Sequence, residues 1–372
     1  MKISELRARE DFDRALRETV SGVQACDAAL DGAEAGDAVC WYEHPWFSVY
    51  ARPGLCREGR EFLCGQYGHA PRAWRRAVQW GAVRLMSLPR VFGAVLRPSF
   101  WCSVPGDADA AMWQPGNRRM RRFDFGRRSV RVYPKAGFDD GGIGREIAFR
   151  TSHGFPWVVP VLRHCGTCLE EPLLDARPID REPDAWRRRE AERAMREAVR
   201  ELGDGGREVL TGREYAGRKR GEYEALRREF LARFAGVCPD IMDVVVGRAL
   251  REAERMPEVE CAPSHGDLQP GNVLVPMRGP VHVWLIDWED FDVRASCYDE
   301  MVWTLGSRFA CGLAQRVRRY LDENGAEGSR RVCLWAIEEW IWLMRTSAGG
   351  IRRLPEGVGM HLVEAARFLG AM

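Results

Sequence analysis

The apolar positions of residues 1–35 follow a helical, amphipathic spacing that ends in a Gly/Asp-rich stretch. Residues 40–70 are aromatic and irregular (Trp41, Tyr42, Trp46, Phe47, Tyr50) and support no assignment. A helical pattern returns at about 72–97, interrupted by Pro89. The texture then changes. Arg118 to Phe125 and Ser129 to Lys135 read as two strands around the turn residues Gly126 and Arg127, a hairpin pattern. Gly141 to Arg150 reads as the start of a helix. Trp157 to Val161 and Cys168 to Leu174 read as two further short strands. From Asp184 the pattern is helical almost to the end, with residues 273–286 the exception. Strands first and helices later predict an α+β chain with a sheet lobe and a helical lobe.

Composition narrows the function classes. The chain has 372 residues, 45% hydrophobic and 30% charged, enough for two lobes and too apolar for wholesale disorder. Its 56 basic and 54 acidic side chains leave a formal charge of +2, so nucleic acid is not an expected partner. Lys2, Lys135 and Lys219 are the only lysines, which singles out each of them. No stretch reaches the ~18 apolar residues that span a bilayer. The charged, amphipathic N-terminus does not read as a signal peptide. The 12 cysteines are therefore expected as reduced, buried thiols, and the expected home is the cytosol.

Residues 264–292 carry the chemistry. Val273 to Val275 is a short apolar run, Pro276 to Pro280 a turn, and Val281 to Ile286 is β-rich. In such a hairpin the start of the first strand lies beside the end of the second. Asn272 immediately precedes the first strand and Asp287 immediately follows the second, so the turn brings them together. Asp267 sits on the loop just before. Two carboxylates and an amide oxygen at one end of a hairpin are hard-oxygen ligands suited to Mg²⁺.

His265-Gly266-Asp267-Leu268-Gln269-Pro270-Gly271-Asn272, followed by Leu285-Ile286-Asp287-Trp288-Glu289, resembles the catalytic core of the aminoglycoside phosphotransferase family. Choline kinase and related small-molecule kinases share that core, and all share a fold with protein kinases. The resemblance covers roughly residues 118–345. It implies a protein-kinase-like two-lobed fold. Residues 1–100 would be an N-terminal extension of unassigned role, 101–175 the sheet lobe and hinge, and 176–372 the helical lobe with the catalytic loop. It implies Asp267 as the base that accepts or orients the proton of a substrate hydroxyl. His265 would fix the loop, and Asn272 and Asp287 would hold Mg²⁺ on the phosphates of ATP or GTP. Asp299 stands where the family has a structural Asp.

The resemblance also asks for a cation on a sheet-lobe strand and a helix Glu to hold it. Alternation puts Arg131, Tyr133 and Lys135 on one strand face, and either Lys135 or Arg131 is the candidate phosphate clamp. Glu146 is the candidate partner. The hinge would be Cys168 to Leu174, with backbone near Glu170 to Leu173 facing the nucleotide base. No glycine-rich phosphate loop precedes the strand.

Other features have simpler readings. Cys165-Gly-Thr-Cys168 is one CxxC, and a structural zinc site normally needs a second pair, which the chain lacks. Arg187-Arg188-Arg189 opens a helix with charges of both signs, a solvated face. Trp335, Trp340 and Trp342 read as helical core, and the aromatic run Trp41 to Tyr50 as core packing rather than a cation cage. The expected activity is Mg²⁺-dependent transfer of a γ-phosphoryl group to the hydroxyl of a small molecule. Gly266 stands where protein kinases commonly have arginine, and no activation-loop length separates Asp287 from Asp299. The rivals are a kinase of a protein or surface glycan, and a non-catalytic nucleotide-binding scaffold.

Overall fold

The structure, a computed structural model, describes residues 3–31, 37–44, 47–67, 73–86, 96–138, 141–234, 239–309 and 311–347. The chain is α+β and divides into two compact units. The first comprises residues 1–177, 181–183 and 275–284; the second comprises 178–180, 184–274 and 285–372. Among the described residues no helix is long and apolar enough to cross a membrane.

The first unit is built on an eight-stranded sheet. Its strands are β1 (Val39–His44), β2 (Val49–Ala51), β3 (Pro98–Cys102), β4 (Ala111–Pro115), β5 (Arg119–Asp124), β6 (Ser129–Pro134), β7 (Arg163–His164) and β8 (Leu169–Pro172). They lie in the order β3-β1-β2-β4-β5-β6-β8-β7, with antiparallel pairing throughout. The expected β5–β6 hairpin forms, and Asp124 Oδ1 accepts from the Arg127 amide (2.8 Å) to close its turn.

The two faces of this hairpin differ, because cross-strand partners share a face. Met120 faces Tyr133 and Arg122 faces Arg131; on the other side Arg121 pairs with Val132 and Phe123 with Val130. The Arg131–Tyr133 face is covered by helices α1 (Ile3–Arg9) and α2 (Phe12–Asp31). Helix α2 presents Phe12, Leu16, Val20 and Val23, a single helical stripe, to a core containing Trp41, Tyr50, Phe100 and Trp113. On the opposite face Val132 and Leu169 pack with Ile143 and Ile147 of helix α3, our label for Gly142–Ser152.

Three expectations change here. Residues 1–100 are not an appendage: β1, β2 and β3 extend the same sheet, and Trp41 and Tyr50 are fully buried within it. The spacing missed them because β2 is only three residues long and wholly buried, while in β1 the buried Trp41 and His44 are three positions apart, so no alternation shows. Trp157 to Val161 is not a strand. The Arg150 guanidinium donates to the carbonyls of Val159 (2.8 Å) and Pro160 (3.3 Å), doing for this backbone what a neighbouring strand would do. The helical pattern at 72–97 is Ala73–Met86 as far as residue 86; Pro89 lies outside the described residues.

The second unit is mainly helical. Helices Ala185–Asp204, Gly212–Arg233, Pro239–Glu254, Tyr298–Leu305 and Leu313–Ser347 surround a three-stranded antiparallel sheet. Its strands are Glu208–Thr211, Glu258–Ser264 and Asp292–Ala295, with the second at the centre. The helical reading overlooked this sheet. Its central strand ends at Ser264 and so delivers the chain directly to His265. Asp184 caps the first helix through the amides of Trp186 and Arg187, and Thr211 with Glu214 forms a capping box on the second. Trp335 and Trp340 are core, as the spacing predicts, whereas Trp342 is half-buried and donates from its indole to Asp290 (3.0 Å). Buried Glu338 accepts from the Tyr215 hydroxyl (2.9 Å), Lys219 Nζ (2.8 Å) and the Ala295 amide (3.2 Å), which ties the sheet to two helices.

Candidate active site

The chemistry-bearing loop begins where the central strand of the small sheet stops. Its first anchor is Asp299 at the start of helix Tyr298–Leu305. The Asp299 carboxylate accepts from the amides of His265 (2.6 Å) and Gly266 (3.0 Å). The second anchor is His265, fully buried. Its Nε2 lies 2.9 Å from the Ile286 carbonyl, so the ring donates there, and Nδ1 is left to accept from the Asp267 amide (3.3 Å). The ring packs on Trp288 at 4.4 Å between centroids. Gly266 between them has φ +83, and a Cβ there would strike the Asp290 carbonyl and the Arg294 guanidinium.

This clamp holds the segment that carries Asp267 and Asn272. Pro270–Asn272 forms one 3₁₀ turn, and the Ile286 amide donates to the Asn272 carbonyl (3.0 Å). Asp287, the next residue, adopts a left-handed backbone (φ 68, ψ 58). Asn272 Nδ2 donates to the Asp267 carbonyl (2.9 Å) and to Asp267 Oδ2 (3.0 Å). Gln269 Nε2 donates to the same carboxylate oxygen at 2.8 Å. The backbone junction the hairpin reading required, Asn272 against the residue preceding Asp287, is therefore formed. Asp267 is tied to it through Asn272.

One participant was not foreseen. Arg308, in the loop after helix Tyr298–Leu305, donates from Nε to Asp267 Oδ1 (2.6 Å) and from Nη2 to the Gly266 carbonyl (3.0 Å). Its Nη1 is bonded to Glu339, and the guanidinium lies 3.5 Å over the Trp342 ring. Nothing in the residue pattern singles it out, since nearly all of the 56 basic residues are arginine. Burial pushes the Asp267 carboxyl above the usual carboxylate range, and Arg308 opposes that shift without cancelling it. Replacing Arg308 by Gln removes the opposing charge and raises the carboxyl further. The acidic limb of the kcat/KM–pH profile should then move to higher pH, with Arg308→Lys in between. A limb that stays in place would detach Arg308 from the titration of Asp267.

In the first unit the expected clamp is rearranged. Lys135, Arg131 and Tyr133 do share one strand face, but that face lies under the N-terminal helices. Lys135 Nζ, with no solvent exposure, donates to Glu10 (2.6 Å) and the Gly116 carbonyl (3.1 Å). Arg131 is held by Asp27 (2.6 Å), Asp31 (2.7 Å) and Glu170 (3.2 Å). Glu146 is on the helix that covers the opposite face. Its carboxylate pairs with Arg119 of β5 and with Arg150 (2.6 Å) of its own helix, in place of Lys135 or Arg131. Period-2 alternation placed the three residues on a common face correctly; it could not say which face helix Gly142–Ser152 would cover. Of the hinge residues, Glu170 also receives Arg163 (2.5 Å), and the Leu173 amide donates to the Arg128 carbonyl (2.8 Å).

No family model matches the chain, and no curated protein matches it. Several solved structures are similar. An ethanolamine kinase of Plasmodium vivax aligns over 84% of this chain and 95% of its own at 12% identity, with a TM-score of 0.46. A thermostable mutant of the aminoglycoside phosphotransferase APH(4)-Ia, in ternary complex with AMP-PNP and hygromycin B, aligns over 70% and 92% at 14% identity, with a TM-score of 0.48. Choline kinase LicA from Streptococcus pneumoniae aligns over 72% and 92% at 12% identity, with a TM-score of 0.40. Likeness this distant leaves the functional argument to the chain's own residues.

Proposed function

We propose that the protein is a phosphotransferase that moves the γ-phosphoryl group of a nucleoside triphosphate to the hydroxyl of a small molecule. The observation that carries this reading is the pinned loop: Asp299 and His265 fix a segment on which Asp267 is bonded to Asn272, and Asn272 to the backbone beside Asp287. Phosphoryl transfer asks a protein for positioning and charge neutralisation rather than covalent chemistry, which is what such a loop supplies.

The donor set fits a hard divalent cation. Asn272 uses its amide hydrogens on Asp267, so its carbonyl oxygen remains the acceptor, and Asp287 adds a carboxylate. Asn272 and Asp287 would hold Mg²⁺, which supplies charge neutralisation on the phosphates when bound. Asp267 orients the acceptor hydroxyl and takes its proton. Its raised carboxyl makes it a stronger base than an exposed aspartate. Arg119, which Glu146 holds, replaces Lys135 and Arg131 as our candidate for a phosphate-binding cation.

Nucleotide consumption against a panel of hydroxyl acceptors, with ATP and GTP in parallel, tests the reading. Asp287→Ala should weaken Mg-nucleotide binding by at least about tenfold in calorimetry, and unchanged binding would remove Asp287 from the metal site. The scaffold alternative draws on one observation. Both oxygens of Asp267 already accept from protein donors, Oδ1 from Arg308 and Oδ2 from Asn272 and Gln269. Tight nucleotide binding with no turnover on any acceptor would favour it.

A further inference from the structure

We propose that Cys26, Cys165 and Cys168 form a three-thiolate zinc site that fastens the end of helix α2 to the β7–β8 hairpin. In the sequence Cys165 and Cys168 are a lone CxxC, half of what a structural zinc site needs. The fold supplies a third sulfur from a residue 142 positions before Cys168. All three Sγ atoms lie within 4.8 Å of one another, with all three cysteines in the first unit.

The hairpin is shaped for this. His164 pairs with Leu169, the Cys165 amide donates to the Cys168 carbonyl (3.1 Å), and Gly166 takes φ +86 at the tip. A tight turn of this kind sets the two CxxC thiols side by side, with Sγ atoms 2.9 Å apart. Zn–S bonds of ~2.3 Å at tetrahedral angles place ligand sulfurs about 3.8 Å apart, between the 2.9 Å of Cys165 and Cys168 and the 4.8 Å outer limit. Small side-chain rotations reach that geometry. Cys168 is fully buried while Cys26 and Cys165 are partly exposed, so one side of the sulfur triangle opens to solvent. Water can take the fourth position there. Sulfur alone, with no carboxylate or imidazole in the cluster, selects a soft or borderline ion such as zinc over magnesium or calcium. A simple disulfide between Cys165 and Cys168 would leave the convergence of Cys26 without a role.

The ion would reinforce a contact that charge already makes. One turn of α2 beyond Cys26 and next to it, Asp31 and Asp27 bond to Arg131, Arg122 and Tyr133 of the sheet, and Arg163 of β7 bonds Asp31. Zinc would pin the same helix end covalently to the sheet edge.

The test uses the full-length protein purified under reducing conditions without chelator. Elemental analysis should give one zinc per chain, and Cys26→Ser and Cys168→Ser should each lower zinc affinity by at least about tenfold. Cys311→Ser, an exposed cysteine outside the cluster, serves as the control and should keep the full stoichiometry. Cobalt substitution should give intense sulfur-to-metal charge-transfer absorption that falls by about a third in Cys26→Ser. Chelation should lower the Tm of the wild type and leave that of Cys26→Ser nearly unchanged, which separates loss of metal from loss of fold. Three results would overturn the proposal: reduced wild-type protein holding less than a tenth of an equivalent of zinc, a Cys165–Cys168 disulfide in protein kept reduced, or Cys26→Ser binding zinc as tightly as wild type.

Discussion

Asp267→Asn should lower phosphoryl transfer by ~10²–10⁴-fold, the usual range for removing a positioned base, while Mg-nucleotide affinity stays within about twofold of wild type. The asparagine keeps the shape of the side chain and its bonds to Asn272 and Gln269 can be re-formed, but it cannot take a proton. Arg308 loses its charge partner at this end and retains Glu339, so the helical unit should remain folded. Single-turnover kinetics with an acceptor identified from the panel, alongside a thermal melt, separates the chemical loss from any loss of structure. A variant that turns over at the wild-type rate would take Asp267 out of the chemistry and leave the loop a structural element.

The second large effect is on stability. Glu146 is 2% exposed and carries two guanidinium groups, those of Arg119 and Arg150. Burial alone would raise its carboxyl, yet the two arginines overcome that and hold it at about 2 against an ordinary 4.5. Glu146→Gln strands two buried cations with a neutral partner. Breaking a buried pair in this way costs ~3–5 kcal/mol, enough to unfold many domains at 37 °C. The sign of the pH dependence follows from the depressed value. The contribution is present above pH 4.5 and is lost as pH falls toward about 2, amounting to about 3 kcal/mol over that interval. Urea titrations at pH 7 and pH 3 should therefore show the gap between wild type and Glu146→Gln narrowing in acid. A Gln variant as stable as wild type at neutral pH would mean that the arginines find water or other partners.

What sequence reading could reach depended on how local the signal was. The stretch His265 to Asp287 was readable because its residues are close in sequence and a hairpin geometry follows from Gly, Pro and β-branched positions alone. The β5–β6 hairpin was readable for the same reason. Lys135 drew attention by rarity in an arginine-rich chain, but rarity says nothing about which helix covers a strand face. The answer came from Glu10, between α1 and α2, and from Asp27 and Asp31 of α2, which lie more than 90 residues away from the cations they meet. Arg308 and Arg119 were invisible for the converse reason: each is one arginine among many, distinguished only by what surrounds it in space. Cys26 was likewise an isolated thiol until the fold set it beside a CxxC.

The bare backbone at position 266 also limits what the loop can become. The carbonyl of Asp290 and the guanidinium of Arg294 fill the volume that the first carbon of any side chain there would need. A larger residue is blocked until the neighbouring segment has been rebuilt. The bend that sets Asp267 beside Asn272 is thus locked to the packing of the segment around Asp290 and Arg294, and neither can drift without the other.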